Sequence, residues 1–82
     1  MKTGIVTGSV WATRKADCLQ RQTFLTVDMG DGKIVASDQV GAGVGDRVLV
    51  VLGTTAARYC MEAPVDAAVV AILDENKGKE GA

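Results

Sequence analysis

The side chains able to carry chemistry are few, and they are spread so that none supports another. The two thiols, Cys18 and Cys60, lie far apart in the chain and there is no histidine. Neither thiol nor any serine therefore has an imidazole base, which excludes the Cys-His and Ser-His-Asp arrangements within one chain. The same lack of histidine and of closely spaced cysteines leaves no ligand set for zinc. Asp28 and Asp31 fall at a turn, and Asp74 and Glu75 at a strand end, where carboxylates are solvated instead of paired for acid-base work. Gly41-Ala42-Gly43-Val44-Gly45-Asp46 contains the G-x-G of dinucleotide-binding loops, but it precedes a strand instead of opening a helix. A glycine-rich connection where backbones pass closely, at a subunit contact or around an opening, fits that run better. The expectation is a protein without catalysis, cofactor or metal.

Binding classes narrow in the same way. Nine basic and ten acidic side chains give a net charge of -1 and only three aromatic residues are present, so nucleic acid has neither a positive groove nor a set of stacking platforms. Arg14-Lys15 reads as a solvated loop pair, and Trp11 as a residue packed over a barrel mouth or against a neighbour. No apolar run reaches the roughly 18 residues of a membrane-spanning helix. Met1 to Val10 is interrupted by Thr and Gly where a secretory signal would be continuous, so a reducing cytosol and two free thiols are expected.

The elements that would position these residues are short. At 82 residues and 48% apolar composition the chain is one small domain, too hydrophobic to be disordered. Twelve valines and eleven alanines dominate the apolar set, a composition that favours strands. Thr3–Ala12 reads as a first strand with Val6, Gly8, Val10 and Ala12 on one face, and Thr13–Gln22 as a polar surface loop anchored by Leu19. Thr23–Asp28 and Lys33–Ala36 flank Met29-Gly30-Asp31-Gly32 as a hairpin. Arg47–Leu52 forms a fourth strand closed by Gly53, and Thr54–Met61 a short helix capped by Thr54 or Thr55 and ended by Pro64. Ala68–Leu73 is the last strand. The domain spans residues 1–74, with a charged tail over 75–82 expected to be flexible.

Val48-Leu49-Val50-Val51-Leu52 and Ala68-Val69-Val70-Ala71-Ile72-Leu73 do not alternate, so both faces of each strand should be buried. A five-stranded barrel with one short helix cannot cover that much apolar surface from within unless the helix and loops suffice. Another copy of the chain is the simplest cover, which points to an oligomer.

Three ordered segments carry a resemblance. Gly4-Ile5-Val6-Thr7-Gly8-Ser9-Val10-Trp11-Ala12-Thr13-Arg14-Lys15, then Asp38 to Val50, then Pro64 to Asp74 resemble the vertex proteins of bacterial microcompartments, the EutN/CcmL family of metabolosomes and carboxysomes. The family's Gly-Ser-Ser-Ala-Arg segment matches Gly53-Thr54-Thr55-Ala56, with its arginine one place late as Arg58, and Ala71 stands where a glycine is usual. The resemblance implies an all-β, five-stranded OB-like barrel that assembles as a homopentamer and caps the vertices of a polyhedral shell tiled by hexameric proteins, within the cytoplasm. Gly41, Ala42, Gly43, Gly45, Gly53, Thr54, Thr55 and Arg58 are the candidates for subunit contact or pore lining. The alternative is an OB-like module for single-stranded nucleic acid or a small ligand.

Overall fold

The structure, a computed structural model, describes residues 1–60 and 65–74. Met61, Pro64 and the expected tail over 75–82 lie outside the described residues. Strands β1 (Lys2–Val10), β2 (Phe24–Asp28), β3 (Lys33–Asp38), β4 (Arg47–Leu52) and β5 (Ala67–Ile72) close into a barrel of order β1-β2-β3-β5-β4, with β4 returning to β1. All neighbours are antiparallel except β3 and β5, which meet in a short parallel pairing at Ser37–Ala68 and Asp38–Val69. The fold class is as expected: all-β, a closed OB-like barrel with one short helix, α1 (Thr54–Tyr59).

Valine and alanine dominate because the barrel is narrow. Val6, Leu25, Val27, Ala36, Val48, Val50, Ala67 and Val69 fill its interior, with Met29, Ile34 and Ala42 packed against them. Side chains of this size fill a small five-stranded barrel without forcing its strands apart. A second cluster lies outside the wall: Val51, Ala56, Cys60 and Ala68 are buried beneath α1, with Leu19, Val65 and Val70 at its edge. Leu19 therefore anchors its loop as expected, from a single turn of 3-10 helix over Asp17–Leu19.

The first strand departs from simple alternation. It runs Lys2–Val10, not Thr3–Ala12, and carries a bulge between Val6 and Gly8: Val6 faces Val27, whereas Gly8 faces Thr26 and Ser9 faces Leu25. One extra residue reverses the parity of everything after it. Val6 points inward, but Val10 sits opposite Phe24 on the outer wall and is exposed, so the expected face of Val6, Gly8, Val10 and Ala12 does not hold together.

The hairpin expected at Met29–Gly32 is present, with Met29 N–H donating to Gly32 O at 2.8 Å and Gly30 N–H to Asp28 Oδ1 at 2.9 Å. Other boundaries move as well: β2 starts at Phe24, β3 runs on to Asp38, α1 ends at Tyr59 and β5 spans Ala67–Ile72. The helix cap also differs. Gly53, not Thr54 or Thr55, is the N-cap of α1, and no side chain caps the helix. Its φ of 69° turns the chain sharply out of β4, and its N–H donates to Asp66 O at 2.8 Å, so the turn is held by backbone alone.

Candidate subunit-contact surfaces

The residues singled out from sequence fall into two groups at opposite ends of β4. Gly41, Ala42, Gly43 and Gly45 occupy the loop that enters the strand, and Gly53, Thr54, Thr55 and Arg58 the turn and helix that leave it. A six-residue strand separates the groups by about 20 Å, so within one chain they do not form a single site.

The entering loop is a fixed object. Asp38 Oδ1 accepts from the N–H groups of Val40, Gly41 and Ala42 at 3.1, 3.0 and 3.3 Å, and Asp46 Oδ2 accepts from Gly43 N–H at 2.8 Å. Val6 and the loop's end exchange backbone bonds, Gly45 N–H to Val6 O at 2.9 Å and Val6 N–H to Asp46 O at 3.0 Å. Gly41 and Gly45 have φ of 77° and 92°, which explains the glycines there. Ala42 packs on the barrel interior and closes that end.

Close approach inside the chain is not what these glycines provide. A Cβ at Gly41, Gly45 or Gly53 would meet nothing within 4 Å, and at Gly43 only Asp46 Oδ2 at 3.9 Å. The tight position is Gly4, where a Cβ would lie 2.5 Å from Val27 Cγ1, 2.8 Å from Met29 Sδ and 2.9 Å from Asp28 O. Its place two residues before buried Val6 was the only sequence signal for it.

A polar cluster around the buried Ser37 also escaped the sequence. The Ser37 hydroxyl, wholly buried, donates to Gln22 Oε1 and accepts from Gln39 Nε2 at 2.9 Å. Gln39 Nε2 also reaches Cys60 Sγ at 3.5 Å, and Gln22 Nε2 donates to Cys60 O at 3.4 Å. The loop before β2, the end of β3 and the end of α1 are thus tied together on the outer wall. Ser37→Ala strips a donor from half-buried Gln22 and an acceptor from exposed Gln39, which water replaces in part, and is expected to cost about 0.5–1.5 kcal/mol in urea denaturation. Both cysteines are free, Cys18 exposed and Cys60 buried.

Helix α1 covers Val51 and Ala68, but apolar surface stays bare: Leu52 and Ile72, at strand ends opposite the interior residues Ala67 and Val48, are exposed, and Leu49 and Val70 are half-buried. Ile5 and Val35 add to this surface on β1 and β3. Trp11 is 87% exposed, so it does not pack over its own barrel mouth.

A closed barrel of order 1-2-3-5-4, a core of small side chains and an apolar outer wall left partly bare define the class: a small OB-like β-barrel whose surface is unfinished as a single chain. The family model described as "Ethanolamine utilisation protein EutN/carboxysome" matches residues 1–74, and the chain belongs to this EutN/CcmL family. It is 45% identical to the carboxysome shell vertex protein CcmL of Synechococcus elongatus, over 90% of this chain and 84% of that protein. It is 37% identical to the bacterial microcompartment shell vertex protein EutN of Salmonella typhimurium, over 92% and 85%. Among solved structures, the GrpN pentameric microcompartment shell protein from Rhodospirillum rubrum superposes with a TM-score of 0.81 at 34% identity, over 90% of this chain and 94% of that one.

Proposed function

We infer that this protein is a structural shell component, five copies of which form a pentamer that caps a vertex of a bacterial microcompartment. The observation that carries this reading is likeness over nearly the whole chain to proteins named as shell vertex proteins, together with a solved pentameric shell protein of the same fold. The physics agrees with it. Ile5 and Val35 on the outer wall, with Leu52 and Ile72 exposed at strand ends, are apolar surface that a neighbouring subunit removes from water. A five-fold unit among hexameric tiles supplies the curvature that closes a flat lattice, and the hexameric shell proteins are the partners along the pentamer's edges. Catalysis, nucleic acid and membrane have no place in this reading.

Native mass spectrometry of the purified chain tests it: a dominant five-chain species is expected. A stable monomer would count against the vertex and bring the OB-like binding module forward. Shells assembled without the protein are expected to be elongated or leaky, and normal closed shells would count equally against it.

The loop Gly41–Gly45 and the turn Gly53-Thr54-Thr55 with Arg58 are the proposed contact or pore-lining elements. Gly43→Trp separates contact between chains from contact within one. Its Cβ has open space in the single chain, so the variant is expected to fold with unchanged far-UV circular dichroism yet lose the five-chain species. A Gly43→Trp pentamer would remove the loop from the interface.

A further inference from the structure

Resting on the pentamer reading, we propose that Trp11 of each subunit seats on the Asp38–Asp46 loop of the next, beside Val44, as the central contact of the ring. A closed ring of five is built from heterologous contacts, in which one patch of each subunit meets a different patch of its neighbour. The chain offers two unlike patches. Apart from Met1, Trp11 at 87% and Val44 at 72% are the most exposed of the large apolar side chains described. They lie on different connections, Trp11 just past the end of β1 and Val44 in the loop into β4.

Shape, charge and rigidity match between the two. Gly43 and Gly45 flank Val44 without side chains, and a Cβ at either would meet no atom closer than 3.9 Å, so Val44 stands in an open, flat setting that an indole ring can cover. The segment carrying Trp11 holds Arg14, Lys15 and Arg21 against the single acid Asp17, whereas the Asp38–Asp46 loop holds two aspartates and no base. Opposite fields of this kind steer docking and set its register. Both partners are already ordered. The receiving loop is clamped by the Asp38 and Asp46 carboxylates and by Gln39 N–H donating to Val69 O at 3.1 Å. Beneath Trp11, Lys15 Nζ bonds Gln22 O at 3.3 Å and lies 6.0 Å from the Phe24 ring centroid. Little backbone freedom is left to lose on assembly, and the ordering cost falls on the exposed Trp11 side chain. Tryptophan is also among the residues that most often dominate an interface.

Reporter cysteines test the pairing without touching Trp11. In a Cys18→Ser background, one chain carries Ala12→Cys, at an exposed site beside Trp11, and a second carries Val44→Cys, a near-isosteric change. The two are mixed, reassembled and oxidised with a copper-phenanthroline catalyst. A covalent dimer is expected in the mixture and in neither variant alone. Native mass spectrometry of the same samples reports whether five-chain rings formed. Rings without a covalent dimer overturn the Trp11 contact and leave the pentamer standing, which would move the contact to the wall around Ile5 and Val35. Absence of rings from the wild-type chain overturns both. Should the reporters themselves fail to assemble, Trp11→Ala decides. Because Trp11 is exposed in the single chain, its circular dichroism is expected to be unchanged while the concentration at which rings fall apart rises about 30-fold or more. An unchanged ring stability would overturn the proposal.

Discussion

Gly4→Ala is expected to lower the folding stability by about 3 kcal/mol, at the upper end of what overpacking a core position costs. The added methyl would fall 2.5 Å from Val27 Cγ1 and 2.9 Å from Asp28 O, and only its third neighbour, Met29 Sδ at 2.8 Å, belongs to a flexible side chain. Val27 has no room to yield, since it is fully buried in the barrel interior and opposes Val6 across the sheet. Asp28 O is backbone next to the hairpin, so relief there means displacing β2 from β1. Gly4 also pairs with Val48 of β4, so a strand moved on one side is constrained on the other. Urea denaturation at matched protein concentration measures the effect, because assembly adds concentration-dependent stability. A loss below about 0.5 kcal/mol, the usual range of a surface substitution, would show that the barrel breathes enough to admit the methyl.

What the sequence made legible follows from which signals are local. The two-faced character of β4 and β5 was readable because a run of Val and Leu has no polar alternate to place in water, and Val51 and Ala68 are indeed buried on the outer wall while Val50 and Val69 fill the interior. The hairpin was readable because Met29–Gly32 holds its own turn chemistry. The bulge in β1 was not read: Gly8 inside a strand is a residue that often marks one, but the bulge is defined only as a mismatch in register with β2. The cluster of Gln22, Ser37, Gln39 and Cys60 joins segments distant in the chain, and no local pattern links them. The glycines show the same division. Those of the Gly41–Gly45 loop were conspicuous as a motif, yet inside the chain they serve turn geometry, whereas Gly4 looked like any strand glycine and holds the tightest approach.

Gly53 carries the second large effect, because one backbone conformation there decides whether α1 stays on the barrel. At φ 69° and ψ -147° it occupies a region essentially closed to residues with a Cβ, so Gly53→Ala is expected to cost about 1–3 kcal/mol although its side chain has open space. The strain falls on the joint between β4 and α1, and a six-residue helix has no stability of its own to resist it. Strain at the joint is therefore relieved most cheaply by lifting α1, which uncovers Val51, Ala68 and the buried Cys60 thiol. Cys60 reports that opening directly. Cys18 is exposed and reacts at once with a thiol reagent, whereas Cys60 waits for the helix to lift. The slow phase is expected to quicken by roughly 5- to 150-fold in Gly53→Ala, the rate equivalent of the same strain energy. Thr54→Ala and Thr55→Ala remove no capping hydrogen bond and are expected to leave that phase within about twofold of wild type. An equal acceleration in the threonine variants would return the cap to a side chain, and no acceleration in Gly53→Ala would show that the polar cluster around Ser37, not the glycine turn, holds the helix down.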